Sequence, residues 1–386
     1  MKVLMVNPSF TAGAFMHKLC NALVEQGAEV TMYTGPLIRR ISSTWTPPRY
    51  AVQVRFYRWT QLRAYARGPA RPLWQALRFF GHVWAVSRLV WVAGRYDVVH
   101  VHFLTVPALD QWWMRLLAGR TRLVYSVHNL LPHDAAPDGS DFRTFRRIYR
   151  TCDALVAHTA DTVSGLRAGF GIEPGKVALI PLGNVCDIVP SHAVPTAEAV
   201  GLNSAGPPTV LLLGEIRHNT GLDVLLHAAA RLRGRGVEFR ILAAGQPWLS
   251  QAPYVALAES LGVGSQVEFR VGYIEERAIP AYLRAAAVVA LPYRAIDQSA
   301  VAIWAISYGR PIVASRLGGL VDLVEGGECG ILVPPEDPAA LADALERLLT
   351  DGAERERLGR NGRRFAETAL SWDGIAERLL GVYRGT

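Results

Sequence analysis

The chain has 386 residues, half of them hydrophobic and 19% charged, with a net charge of +8. That length suits two or three domains, and the balance excludes a disordered polyelectrolyte or a low-complexity repeat. No apolar run reaches the ~18 to 20 residues of a membrane span. Cys20, Cys152, Cys186 and Cys329 are too scattered for a disulfide framework or a zinc site, which fits a reducing cytosol.

The opening KVLMV reads as a strand, since its apolar run stops at Asn7-Pro8, too soon for a signal peptide. A loop with Gly13 and a helix from Phe15 to Glu25 follow. Backbone can approach a phosphate or sugar closely at such a turn, although a purely structural glycine is equally compatible with it. EVTMYT is the next strand. From Val30 to Tyr96 there are eleven Arg and no Asp or Glu, so the rest of the chain carries about −3. Trp45, Trp59, Trp74, Trp84 and Trp91 are interleaved with these cations. Leu73 to Ala93 reads as a helix with a wide apolar surface and a narrow polar arc at Gln75, Arg78, His82 and Arg88. Either it packs on its own sheet, or the segment docks on an anionic membrane surface. No recognition motif accompanies the charge, so a nucleic-acid partner is not expected.

DVVHVHFL, RLVYSVH, ALVAHT and VALIPLG read as further strands, with a helix at Thr144 to Arg150 among the segments between them. His100 and His102 share one face of their strand, but with no third ligand nearby no metal is expected. His128 ends a strand at the carboxyl edge, where sites form; a role on a substrate hydroxyl and a structural role both fit it. Residues 187–208 lack apolar periodicity and read as a linker. A second series follows: strands TVLLLGE, EFRILAAG, VEFRVGY, VVALPYR, PIVAS and GILVP, and helices at Leu222 to Arg233, Ile279 to Ala286, Ser299 to Tyr308 and Ala339 to Leu349. SWDGIAERLLGVYR closes the chain as an amphipathic helix. The alternation predicts two doubly wound α/β domains, 1–186 and 209–369, with helix 370–386 packing back on the first. The ligand is expected in the cleft between them. Gly214 and Arg217 lie in the strand-to-helix loop that opens the second domain, where an Arg can grip a diphosphate bidentately. The free amides at Gln298, Ser299 and Ala300 start a helix and suit an anion.

These segments, from the Asn7 to Gly13 loop through SVHNLLPHD, LLGEIR, GYIEE, YLRAAAVVALPYR and GRPIVAS, resemble retaining glycosyltransferases of family four with the two-domain GT-B fold. The resemblance implies a nucleoside-diphosphate sugar as donor, with UDP or GDP as the carrier, no bound cofactor and no metal. It places Gly13 near the donor diphosphate, His128 near the transferred sugar and Arg217 on the diphosphate, with Tyr273 and Ile274 at the nucleobase. Three positions depart from the family pattern. Thr220 replaces a Lys of the diphosphate clamp, and Ile296 and Trp304 stand where a pair of glutamates is usual. Asp297 is the neighbouring candidate for the sugar contact, and Tyr293, Gln298 and Ser299 fit a variant pattern. The resemblance implies retaining sugar transfer to an acceptor, and the basic aromatic stretch makes a lipid-linked saccharide or polysaccharide intermediate at the cytoplasmic membrane face the expected one. A soluble transferase acting on a small metabolite and a catalytically degenerate binding subunit are the alternatives. A nicotinamide-dependent enzyme is disfavoured, because no G-x-G-x-x-G is present.

Overall fold

The computed structural model describes residues 1–36, 46–57, 71–131, 139–202, 206–247 and 250–386. Trp45, Trp59, Arg39, Arg40, Arg58, Arg63 and Arg67 of the basic aromatic stretch lie outside them. The chain divides into two compact units: Met1–Gly183 with Trp372–Thr386, and Asn184–Ser371.

Unit 1 is built on β1 (Lys2–Asn7), α1 (Gly13–Glu25), β2 (Glu29–Thr34), β3 (Ala51–Val54), α2 (Arg71–Ala93), β4 (Val98–Val101), α3 (Pro107–Leu117), β5 (Arg122–Val127), α4 (Ser140–Thr151), β6 (Ala154–Ala157), α5 (Ala160–Ala168) and β7 (Val177–Leu179). Its seven strands are parallel in the order β3-β2-β1-β4-β5-β6-β7. Helices cover both faces of such a sheet, so its strands read as continuous apolar runs; Val3 to Val6 and Val98 to Val101 are all buried. The edge strand β3, AVQV, is partly exposed and lies in a polar, Arg-rich context, so it gives no such run.

Helix α2 has two different faces. Ala85, Val86, Leu89, Val92 and Ala93 are buried against the unit 1 core, whereas Leu73, Leu77, Phe80, Trp84 and Trp91 are exposed, Trp84 by 72%. Their spacing of three, four and seven residues puts the exposed set on one stripe. His82 does not belong to a polar surface arc as its sequence position suggests. It is 1% exposed, with Nδ1 2.8 Å from the Tyr57 hydroxyl and Nε2 2.8 Å from Asp110 Oδ1. Asp110 also accepts from Trp113 Nε1 and from the Thr105 and Val106 amides, so this buried carboxylate is fully satisfied.

Unit 2 contains β8 (Thr209–Leu213), α6 (Leu222–Gly234), β9 (Arg240–Gly245), α7 (Ala252–Ser260), β10 (Val267–Val271), α8 (Ile279–Ala285), β11 (Val288–Leu291), α9 (Ala300–Ser307), β12 (Ile312–Ser315), α10 (Gly318–Gly327), β13 (Gly330–Val333), α11 (Pro338–Thr350) and α12 (Gly352–Thr368). Its six strands are parallel in the order β10-β9-β8-β11-β12-β13. The side chain of Asp337 caps α11 and that of Asp351 caps α12. The chain then returns to unit 1 as α13 (Trp372–Arg384), which packs on α1.

Residues 187–208, expected as a linker, cluster with unit 2. Ile188, Val189 and Leu202 are buried, and the Arg270 guanidinium donates to the Val200 and Gly201 carbonyls. Anchors this far apart carry no periodicity, which is why the segment looks unstructured in sequence. Each sheet is thus an open, doubly wound one, with a switch point between β1 and β4 in unit 1 and between β8 and β11 in unit 2. Crevices form there, at the carboxyl ends of the strands.

Candidate active site

In unit 2 the loops after β8 and β11 flank the switch point. Gly214 has φ +115°, and a Cβ on Gly245, which has φ +148°, would lie 1.7 Å from the Gly214 carbonyl oxygen. A Cβ on Gly221 would lie 1.9 Å from the Pro292 carbonyl oxygen. Only glycine allows these approaches, so the two loops press backbone to backbone. Arg294, which sequence reasoning passed over, ties them together. Its main chain donates to Asn219 O at 2.8 Å and its guanidinium to His218 O, to both Asp223 oxygens at 2.9 and 2.7 Å, and to Glu336 at 2.8 Å. Burial pulls the Asp223 carboxyl upward, but the hydrogen bonds and charge of Arg294 outweigh it and hold that carboxyl below its ordinary value. Such a bidentate, half-buried pair fixes a loop better than a fully exposed ion pair does.

On this frame Arg217 is half-buried and ion-paired with Glu215. Thr220 turns its hydroxyl back to the Arg217 carbonyl at 2.7 Å, closing the turn and supplying no charge. Ser299 caps α9, accepting from the Ala302 amide at 3.1 Å, and Ala300 opens that helix. Gln298 carries a buried Nε2 with no hydrogen-bond partner among the described residues. The Asp297 carbonyl accepts from Gly319 N at 3.0 Å, which lays the start of α10 against the same loop. Tyr273 is 70% exposed and Ile274 half-buried beyond β10, where Gly272 N bonds Gly245 O at 3.0 Å. Trp304 is not at this edge: it is buried within α9 and stacked on Tyr308, with ring centroids 5.8 Å apart.

In unit 1, Gly13 is the first residue of α1, but the turn makes its conformational demand elsewhere. Phe10 and Ala12 adopt φ of 55° and 53°, a left-handed strain of ~1 to 3 kcal/mol each. The buried Asn7 side chain offsets it, donating to Thr11 O at 2.8 Å and accepting from Thr11 N at 3.1 Å. Facing this turn, His100, His102, His128 and His158 form one column across the ends of β4, β5 and β6. Successive ring centroids lie 4.1, 5.7 and 4.8 Å apart. Phe103 stacks flat on His128, centroids 4.3 Å apart. His100 is held by the Tyr383 hydroxyl at 2.6 Å and by Ser126 at 2.9 Å.

Burial, reinforced by the neighbouring histidines, pushes His100, His102 and His128 well below the ordinary imidazole value, and burial takes His158 to about 4. All four rings are therefore neutral at neutral pH. His158 Nδ1 lies 2.7 Å from the Ile180 carbonyl and must donate to it, leaving Nε2 as a bare acceptor. Nε2 of His128 and both ring nitrogens of His102 are likewise buried without hydrogen-bond partners among the described residues. They line a small apolar pocket of about 30 Å³ together with Ala12, Phe15 and Trp372. Among the described residues no group of three or more His, Cys, Asp or Glu is arranged for a metal. The repeated pattern of a histidine just after an apolar strand, at His102, His128 and His158, was the signal that joins these residues, since parallel neighbours in register bring strand ends together.

Two doubly wound units, one with a column of buried histidines at its strand ends and the other with glycine-tight, arginine-braced loops, define a Rossmann-like pair of the GT-B type. A model described as glycosyltransferase family 4 matches residues 12–184, and one of glycosyl transferases group 1 matches residues 207–351. D-inositol 3-phosphate glycosyltransferase of Xylanimonas cellulosilytica is 30% identical, over 96% of this chain and 90% of that one. The same-named protein of Corynebacterium diphtheriae is 31% identical over 75% and 70%. Among solved structures, sucrose-phosphate synthase from Thermosynechococcus elongatus superposes with a TM-score of 0.75 at 23% identity, covering 100% and 98% of the two chains. Anabaena HepE in complex with UDP-glucose gives 0.74 at 18%, covering both chains fully. The chain belongs to glycosyltransferase family 4 and is a glycosyltransferase.

Proposed function

We propose that the chain transfers a sugar, with retention of anomeric configuration, from a nucleoside-diphosphate sugar to a small hydroxylated metabolite. The observation that carries this reading is the unit 2 strand edge: Arg217, the unpartnered Gln298 amide and the free amides of α9 sit on one rigid frame suited to a diphosphate. The small acceptor is supported by relatives whose names specify D-inositol 3-phosphate.

In this reading the bond from the anomeric carbon to the diphosphate oxygen breaks while the acceptor oxygen bonds to that carbon on the same face. The acceptor proton passes to the departing diphosphate oxygen. Arg217 and the helix amides stabilise the charge that develops there, which is where preorganised dipoles contribute most. His128, neutral and buried, is a weak base, so it orients a sugar hydroxyl, and Asp297 stabilises the positive sugar. Gly13, Gly214, Tyr273 and Ile274 complete the donor contacts. Trp304 contributes through packing.

A thermal-shift panel of UDP, GDP, ADP, dTDP and CDP tests donor binding: ligand at ~100 times its dissociation constant adds about 2.7 kcal/mol. One diphosphate is expected to shift the midpoint, and that shift is expected to be lost in Arg217→Ala. Radiolabelled donor with inositol phosphates and other small polyols then reads acceptor use. No shift with any diphosphate overturns the proposal.

A second reading, an acceptor at the inner membrane surface, is favoured by the exposed Phe80, Trp84 and Trp91 stripe of α2, with Arg78, Arg88 and Arg95 on the same helix or just past its end and no acid among them. No helix of the described residues is long and apolar enough to cross a membrane, so this would be surface docking. Cosedimentation with anionic vesicles, reversed by salt, is its test.

A further inference from the structure

Unit 2 has a cavity lined by charged residues at the other edge of its sheet. It lies where α9 ends and β11 and β12 begin, and is lined by Tyr308, Arg310, Arg355, Glu356, Arg360 and Arg363 among others. Its volume is about 350 Å³, within the range of small-molecule sites. The floor is built from glycine: a Cβ on Gly359 would lie 2.4 Å from the Gly309 carbonyl oxygen, so α12 rests directly against the Gly309-Arg310-Pro311 turn.

Four guanidiniums and one carboxylate line this cavity, and the charges do not cancel. Glu356 is held by Arg360 at 3.5 Å, and Arg363 reaches Glu367 at 2.5 Å. Among the described residues Arg310 bonds only main-chain carbonyls, Ala286 O at 3.0 Å and Tyr308 O at 3.4 Å, and Arg355 bonds Leu348 O at 2.9 Å and Leu349 O at 3.3 Å. Neither has an ion-pair partner among the described residues. Burial first, then the like charges of Arg355 and Arg284, lower the Arg310 pKa. Cations gathered around a concave, partly buried space repel one another, and a bound anion would relieve this. The carbonyls at the α9 terminus, the negative end of its dipole, are met by Arg363 on Ser307 O and Arg310 on Tyr308 O.

We propose that this cavity binds a small phosphate-bearing metabolite, one carrying at least two negative charges. Arg310 and Arg355 supply forked donors matched to phosphate oxygens, while Tyr308, Ala287 and Pro311 give the body of the ligand an apolar wall. The site is separate from the donor loops. Helix α9 runs from Ala300 at one edge to Ser307 at the other, eight residues or ~12 Å, so both can be occupied at once. The proposal does not rest on the donor assignment.

The test is isothermal titration of the full chain with pyrophosphate at fixed ionic strength. Wild type is expected to bind at two sites, Arg217→Ala to keep this one, and Arg355→Gln/Arg360→Gln to weaken it at least tenfold while keeping the other. Arg360→Gln alone changes an exposed residue whose one hydrogen-bond and ion-pair partner among the described residues is the exposed Glu356, so folding is not in question; about threefold weakening is expected. Unchanged binding in both the single and the double variant overturns the proposal, as does loss of all binding in Arg217→Ala. Equal binding of sulfate and pyrophosphate would mark an adventitious ion only and overturn it as well.

Discussion

The two strand edges are built alike and equipped differently. Both lie at a switch point of a parallel sheet, and both have a tight turn entering a helix. At the unit 1 edge the polar groups are four buried imidazoles, driven neutral by burial, with the neighbouring rings adding to it at His100, His102 and His128. At the unit 2 edge they are guanidiniums held by carboxylates, Arg294 by Asp223 and Glu336 and Arg217 by Glu215. Neutral acceptors in an apolar wall suit hydroxyl groups, while fixed cations and helix amides suit phosphate. Turn tension is met differently as well. At the unit 2 edge Gly214, Gly221 and Gly245 stand where backbone meets backbone, whereas the unit 1 turn holds Phe10 and Ala12 in left-handed conformations by the Asn7 side chain.

The most severe way to break the contrast is Gly221→Val. A Cβ there meets Pro292 O at 1.9 Å with φ at +70°, so a loss of about 4 kcal/mol or more is expected, read by denaturant melts. Next, Arg217→Ala should lower kcat/KM by about 10²-fold or more, the scale of one preorganised donor, with the fold unchanged by circular dichroism. Equal turnover would remove Arg217 from the reaction.

Acid should separate the two units. Burial brings His158 and His17 from 6.5 to about 4 in the folded chain, with Lys18 adding to the effect at His17. The unfolded chain then binds more protons between those values. The contribution of these histidines to unit 1 is therefore complete above pH 6.5 and falls as pH drops toward 4, by up to about 1.4 kcal/mol per unit for each. Asp223 has the opposite origin, a lowered carboxyl whose stabilisation is lost only as pH falls below 3.8. Hydrogen exchange between pH 6.5 and 4 should show unit 1 opening first. The smallest effect is expected from Thr220→Val, which loses the hydroxyl that donates to the Arg217 carbonyl: about 1 kcal/mol, seen as faster exchange in the turn at 217–221.

Much of this was legible in the sequence. The strands of both units read as apolar runs because their sheets are buried on both faces, and the strand ends His128, Arg217 and Gln298 to Ala300 followed from where those runs stop. Other features were not legible, for physical reasons. Arg294 looked like any surface arginine until folding brought Asp223 and Glu336 to its guanidinium, from 71 and 42 residues away. His82 sat on the polar arc of an amphipathic pattern, yet Asp110 and Tyr57 turn it inward. Gly13 drew notice as the flexible residue of its turn, while the left-handed strain falls on Phe10 and Ala12.

The sequence by itself determined the two α/β series, their parallel sheets and the loops where chemistry gathers, because periodicity and turn chemistry are local. Tertiary structure alone decided which charges meet and which rings are buried. It aligned His100, His102, His128 and His158 into one neutral column and gathered Arg310 and Arg355 around a cavity. Ion pairing and desolvation depend on neighbours brought together from distant parts of the chain, and no local pattern records them.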